Sequence, residues 1–142
     1  MILLAMLAAL ASGGPTVEDA SLSDCEILVQ VGRAEAAWGQ SGPNQPFVDE
    51  GPLPSGVLYR QRCDWRALGV GAPTLLKPGQ TGPRFAIEKP VYSEDGRSAQ
   101  TAVNFMSWAG PGTAPFLSIR HCSLRIKDGH WHLIRCEQGP IT

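Results

Sequence analysis

Ile27, Leu28, Val31, Ala34 and Trp38 recur every three or four residues, so their segment presents one apolar stripe and reads as an amphipathic helix. Ser23 and Glu26 stand just ahead at capping-box spacing. The Ser23 hydroxyl can accept from the Glu26 amide, and the Glu26 side chain can reach back to the amide of Ser23. Leu22 suits a staple against Ile27, and Gly39 closes the helix. Residues 39–57 hold proline and glycine without a period and read as loop, as do residues 69–84. Val57–Trp65 fits either a short strand or a turn of helix.

From Phe85 the period shortens to two. Phe85-Ala86-Ile87 leads through Pro90, Val91 and Tyr92 into Asp95-Gly96, a hairpin signal, with the return strand from about Ser98 to Trp108. Pro90 has no N–H for a ladder and belongs at an edge or a bulge. After Gly110-Pro111-Gly112, Phe116–Lys127 and His130–Glu137 form a second hairpin around Asp128-Gly129. The expected fold is α+β: one N-terminal helix packed on a four-stranded antiparallel meander.

The second hairpin also predicts a disulfide. With Asp128-Gly129 as a two-residue turn, Ile126 opposes Trp131 and Leu124 opposes Leu133, giving one apolar face. Continued unbroken, that register sets Cys122 against Arg135. Leu133 and Ile134, adjacent apolar residues, break the alternation, and one extra residue near Ile134 or Arg135 brings Cys136 opposite Cys122. Pairing Cys122 with Cys136 leaves Cys25 for Cys63. On a chain-entropy argument, closing loops of about 15 and about 39 residues stabilises by about 3 and about 4 kcal/mol. No Cys-x-x-Cys spacing favours a redox role.

An even cysteine count implies an oxidising compartment. The wholly apolar run at residues 2–11 implies the route there: it has the length of a signal-peptide core and about half that of a membrane span, although no Lys or Arg precedes it. Ala9-Leu10-Ala11 places cleavage after Ala11, so residues 1–11 read as a leader and 12–142 as a single domain, periplasmic or secreted. Twelve basic residues against thirteen acidic ones give a net charge of −1, which excludes the electrostatic footprint of a nucleic-acid binder. With 43% hydrophobic content the chain builds a core, so its 16 glycines and 12 prolines describe long ordered loops rather than disorder.

Candidate chemistry is sparse. His130 and His132 share one strand face, with His132 opposite Arg125, and a guanidinium there opposes a bound cation; His121 is the one further imidazole. No Gly-x-Ser-x-Gly elbow occurs, and the Gly-rich segments lack the Gly-Lys-Ser/Thr ending of a phosphate loop. Asp95 and Asp128 serve turns. Glu35, late on the helix, becomes a buried acid if it turns toward the sheet. The candidate ligand-facing residues are therefore Glu35, Tyr59, His121, His130 and His132, with no catalytic set, metal or cofactor implied. Trp38, Trp65, Trp108 and Trp131 read as core.

The stretches KPVYSEDGRSAQTAVNF and CSLRIKDGHWHLIRC, within about residues 84–139, resemble those of uncharacterised small secreted bacterial proteins with cystatin-like or nuclear-transport-factor-2-like α+β outlines. That resemblance implies the fold class and carries no catalytic residues; Gln30-Val31-Gly32 does not match the Gln-x-Val-x-Gly hairpin of cystatin-type inhibition. The resulting expectation is a non-enzymatic binding, inhibitor or accessory protein acting on a protein or small ligand of the envelope. The alternative is a small-ligand binder or enzyme with a pocket between helix and sheet.

Overall fold

The helix α1 spans Leu22–Glu35. The computed structural model describes residues 16–77, 79–107, 110 and 112–139; the expected leader, its cleavage site and Trp108 lie outside them. The N-cap of α1 lies two residues before the predicted one. Ser21 is the N-cap, its Oγ accepting from the Asp24 amide at 3.0 Å while Asp24 Oδ2 accepts from the Ser21 amide at 3.2 Å. Ser21-x-x-Asp24 and Ser23-x-x-Glu26 both satisfy the capping pattern; the earlier frame prevails because it frees Glu26 and buries Asp24 for tertiary contacts. Leu22, expected as a staple, is 91% exposed.

The helix also ends early. Ala36 is the C-cap, its N–H donating to Gly32 O, and Ala37 has φ 48°. Trp38 therefore lies beyond the helix, folded back with its own N–H on Gly32 O and its Nε1–H on Gly71 O at 2.7 Å. Its ring lies against the helix at Gly32, where a Cβ would stand 2.5 Å from the ring carbon Cε3.

Among the described residues, eight strands form two sheets. The larger sheet holds β4 (Arg84–Ile87), β5 (Val91–Tyr92), β6 (Ser98–Ser107), β7 (Phe116–Lys127) and β8 (His130–Gln138) in the order β4-β6-β7-β8, with β5 also on β6. The smaller is a mixed sheet of β1 (Val17–Asp19), β2 (Glu50–Pro52) and β3 (Leu58–Arg60), in which β1 runs parallel and β2 antiparallel to β3. The α+β class thus stands, but the single four-stranded meander is corrected to sheets of five and three strands. The first strand breaks across residues 88–90, where Pro90 cannot donate. The small sheet lay in segments read as loop or ambiguous, because three residues are too few to show a period.

One face of the large sheet receives the helix. Phe85, Ile87, Val103, Leu124 and Trp131 pack with Ile27, Leu28 and Val31 in the core, each of these eight at most 3% exposed. Trp38, Phe47, Phe85 and Phe105 extend it as a row with centroid spacings of 5.5, 5.0 and 6.0 Å.

The second hairpin follows its predicted register. Asp128 (φ 53°) and Gly129 (φ 78°) make the turn, and Trp131 and Leu133 oppose Ile126 and Leu124. A register shift between Ser123 and Leu124 then brings Cys136 opposite Cys122, and the disulfides are Cys25–Cys63 and Cys122–Cys136. No helix among the described residues is long and apolar enough to cross a membrane.

Gly32 provides a test of this packing. A mid-helix Gly→Ala change ordinarily stabilises by about 1 kcal/mol. Here the methyl meets a buried indole, so Gly32→Ala is expected to destabilise by about 1–3 kcal/mol in urea unfolding. A stabilised variant would place Trp38 elsewhere.

Candidate functional site

Asp24, at the third position of α1 and 3% exposed, holds the densest polar cluster. Its Oδ2 accepts from Tyr59 Oη at 3.0 Å and its Oδ1 from Tyr92 Oη at 2.5 Å, besides the Ser21 amide. Tyr59 comes from β3 and Tyr92 from β5, so one carboxylate ties the helix start to both sheets. Burial, reinforced by the charge of Asp24 and the hydrogen bond to it, raises the Tyr59 hydroxyl far above the ordinary tyrosine range. Tyr92, packed at 5.6 Å from Trp131, is raised by burial and by the same carboxylate, with a smaller opposing effect of the Ser21 hydroxyl. The cluster holds its protons tightly and ties the helix start to both sheets.

The five predicted site residues do not converge. Glu35 turns toward the sheet as a mostly buried acid, but its Oε2 lies 2.8 Å from Arg120 Nε in an ion pair that is not aligned as a hydrogen bond; Arg120 also donates to Cys136 O at 3.0 Å. Tyr59 is spent on Asp24. His121, His130 and His132 are exposed on the sheet face away from the helix, where His121 pairs with Glu137, His130 with Lys127 and His132 with Arg125. Four residues along β7 separate the pairing positions of His121 and His132, about 13 Å at strand spacing, too far to share an ion. His130 Nδ1 instead lies 3.4 Å from Glu26 Oε1. Glu35 does approach the sulfurs of Cys122 and Cys136 within 4.8 Å, yet those sulfurs are bonded to each other and offer no thiolate.

A groove lies where no site was predicted, on the sheet face away from the helix. Strand alternation turns Phe85 and Ile87 to the core, which leaves Ala86 facing the other way. Ala86 opposes Asn104, Asn104 opposes Ile119, Arg84 opposes Met106 and Met106 opposes Leu117, so these residues share the face. Residues 48–55, including β2, form the wall above them. One lobe of about 950 Å³ runs over Met106, Leu117 and Ile119, and a second of about 940 Å³ lies between Pro52–Ser55 and Ile87–Val91. The lobes share Val48, Glu50, Gly51, Pro52, Ala86, Glu88 and Asn104 and so form one channel.

Buried Gln61 sits at the second lobe with Tyr59. Its Nε2 donates to Ile87 O, and its Oε1, sealed from solvent, meets no donor. Lys89 at the same lobe is engaged by Glu18 and lies 5.8 Å from the Tyr59 ring centroid. One sequence signal for a second covered face was present: Thr101, Ala102 and Val103 are three consecutive small or branched residues, all buried, where a strand with one solvated face would alternate.

Compared with family models, curated proteins and solved structures, the chain matches none.

Tyr59 and Tyr92 are the only tyrosines of the chain, which makes the Asp24 cluster directly testable. Their stabilising effect is complete below about pH 10, where an unfolded tyrosine ionises, and is lost as pH rises beyond it, because the native state retains the protons. Native protein at pH 11 is expected to show almost no tyrosinate absorbance at 295 nm. Its unfolding free energy should fall by up to about 1.4 kcal/mol per pH unit for buried Tyr59, and by less for half-buried Tyr92. Tyrosinate forming near pH 10 in folded protein would contradict the cluster.

Proposed function

We propose that the protein is an exported, non-enzymatic binding or accessory protein that holds its partner in the groove between β2 and the outer face of β4, β6 and β7. Export to the periplasm or the extracellular space is supported by the two disulfides, which persist in oxidising compartments, and by the apolar run at residues 2–11. The observation that carries the binding role is the groove itself. Its floor is mainly apolar and accessible, while the space between helix and sheet is filled by Ile27, Leu28, Val31 and Val103, each 0% exposed. A partner site between helix and sheet would displace the core; one on the outer face displaces only water. Concave, apolar surfaces with a few polar groups are the usual form of recognition sites.

Photo-crosslinking tests this reading. Benzoylphenylalanine at Leu53, on the groove wall, is expected to give one adduct of defined mass in the producing cell, and the same group at exposed Glu94 in the β5–β6 turn none. Equal labelling from both positions, or none from Leu53, would refute the groove as the binding surface.

A further inference from the structure

We infer that Cys122–Cys136 is a thiol–disulfide exchange site: a thiol attacks the Cys136 sulfur from beyond the edge of the sheet, Cys122 leaves, and Glu35 carries the proton between them. The site lies on the core face of the large sheet, apart from the groove.

The two disulfides have different surroundings. Glu35 has a carboxylate oxygen within 4.8 Å of both Cys122 and Cys136 sulfurs, and among the described residues no His, Asp or Glu stands so close to both Cys25 and Cys63. The Glu35 side chain is 14% exposed, and Arg120 Nε lies 2.8 Å from its Oε2. Arg120 Nη2 also donates to Cys136 O at 3.0 Å, which holds the guanidinium beside the same bridge. A positive group near a sulfur favours its thiolate. A carboxylate in reach of two sulfurs can take a proton from one and hand it to the other. Cys122–Cys136 is thus equipped for exchange, and Cys25–Cys63 lacks the proton carrier.

Sheet topology selects the sulfur that is attacked. In exchange a thiolate bonds to one sulfur while the other departs, with the three sulfurs in line. Cys122 and Cys136 are paired residues of neighbouring strands, so their bridge runs across the sheet. The line through it passes over β6 on one side and beyond β8 on the other. Toward β6 the path is closed, since Cys122 is 1% exposed and Thr101, its partner on β6, is buried. Beyond β8 no further strand follows, and Cys136 is partly exposed. The incoming thiol therefore reaches Cys136, and Cys122 is the leaving group inside the protein.

The thiol gives its proton to Glu35 and its sulfur bonds to Cys136 Sγ. As the bridge breaks, its electron pair goes to Cys122 Sγ, which takes the proton back from Glu35. A second thiol then displaces the first from Cys136. Two thiols are oxidised to one disulfide, and Cys122 and Cys136 are reduced to thiols. The turn and the apolar pairs Leu124–Leu133 and Ile126–Trp131 hold the hairpin without the bridge.

Treating the oxidised full chain with reduced glutathione, trapping with iodoacetamide and mapping the products by mass tests the inference. Cys122–Cys136 is expected to open about tenfold faster than Cys25–Cys63, with native circular dichroism and with glutathione found on Cys136. Glu35→Gln should slow that opening about tenfold and leave Cys25–Cys63 unchanged. A substitution that merely loosened the fold would speed opening instead. A cysteine-bearing peptide that reacts faster than glutathione would identify a protein thiol as the substrate, and the reverse a small thiol. Cys25–Cys63 opening first or at the same rate, opening only with loss of structure, or glutathione on Cys122 would overturn the site. Glu35→Gln opening as fast as the native chain would overturn the proton carrier. The order of opening in the native chain needs no variant, so it decides even where Glu35→Gln does not fold.

Discussion

The carboxylate of Asp24 is the joint on which helix, small sheet and large sheet all bear. It accepts from the helix's own cap residue, from Tyr59 on β3 and from Tyr92 on β5. A buried charge is tolerated only where donors surround it, and hydrogen bonds to a charged group contribute about 1.5–3 kcal/mol each. The first turn of α1 adds favourable potential from its aligned peptide dipoles. The next residue, Cys25, repeats the connection covalently through Cys63. Two successive residues thus fasten the helix start to the rest of the chain, one by charge-assisted hydrogen bonds and one by a bond between sulfurs. With its start fixed, the helix lays Ile27, Leu28 and Val31 along the sheet.

What was legible in the sequence divides by the range of the deciding interaction. The second hairpin could be read to the residue, including its disulfide, because turn, alternation and the Leu133-Ile134 break all act within about twenty positions. The helix face was legible in part: Ile27, Leu28 and Val31 are buried as their spacing implies, but Ala34 is exposed and Val29 is buried instead. Its ends were not. Ser21 and Ser23 head equivalent capping patterns, and the choice between them rests on Tyr59 and Tyr92, which lie 35 and 68 positions from Asp24. Trp38 fits the helical period yet leaves the helix, because its indole finds Gly71 O and the gap at Gly32. The small sheet stayed hidden for the same reason, as β1 pairs with β3 across about forty positions through three residues each. Glu35 and Tyr59, expected to face a ligand, are each claimed by a partner within the fold. The groove went unread because its floor mixes Ala86, Asn104 and Met106, a set that no alternation rule singles out.

The two faces of the large sheet are kept distinct by the way its edges are closed. Strand β8 ends the sheet on one side, and an edge strand with free amides invites pairing with another chain. Glu26 meets that hazard: its Oε1 accepts from the outward amide of Trp131 at 2.6 Å, while His130 stands beside it at 3.4 Å. The glutamate released from capping by the earlier helix frame is thus the one that guards β8. On the opposite side, Phe47 bridges to Phe85 in parallel and Val48 donates to Phe85 O, so the chain itself covers the edge of β4. The chain thus covers the β4 edge and one outward amide at the start of β8.

The groove wall inherits its rigidity unevenly from that arrangement. Strand β3 and its extension are tied three ways: Tyr59 to Asp24, Gln61 to Ile87 O, and Cys63 to Cys25. Strand β2 is held through β3, with Gly51 opposite Tyr59, and through the Gln61 amide on Asp49 O. The tip at Leu53–Gly56 closes on itself by local backbone hydrogen bonds alone. Regions with few buried contacts open at lower free energy than the core. The wall therefore combines a base locked to the buried charge of Asp24 with a tip held by local hydrogen bonds.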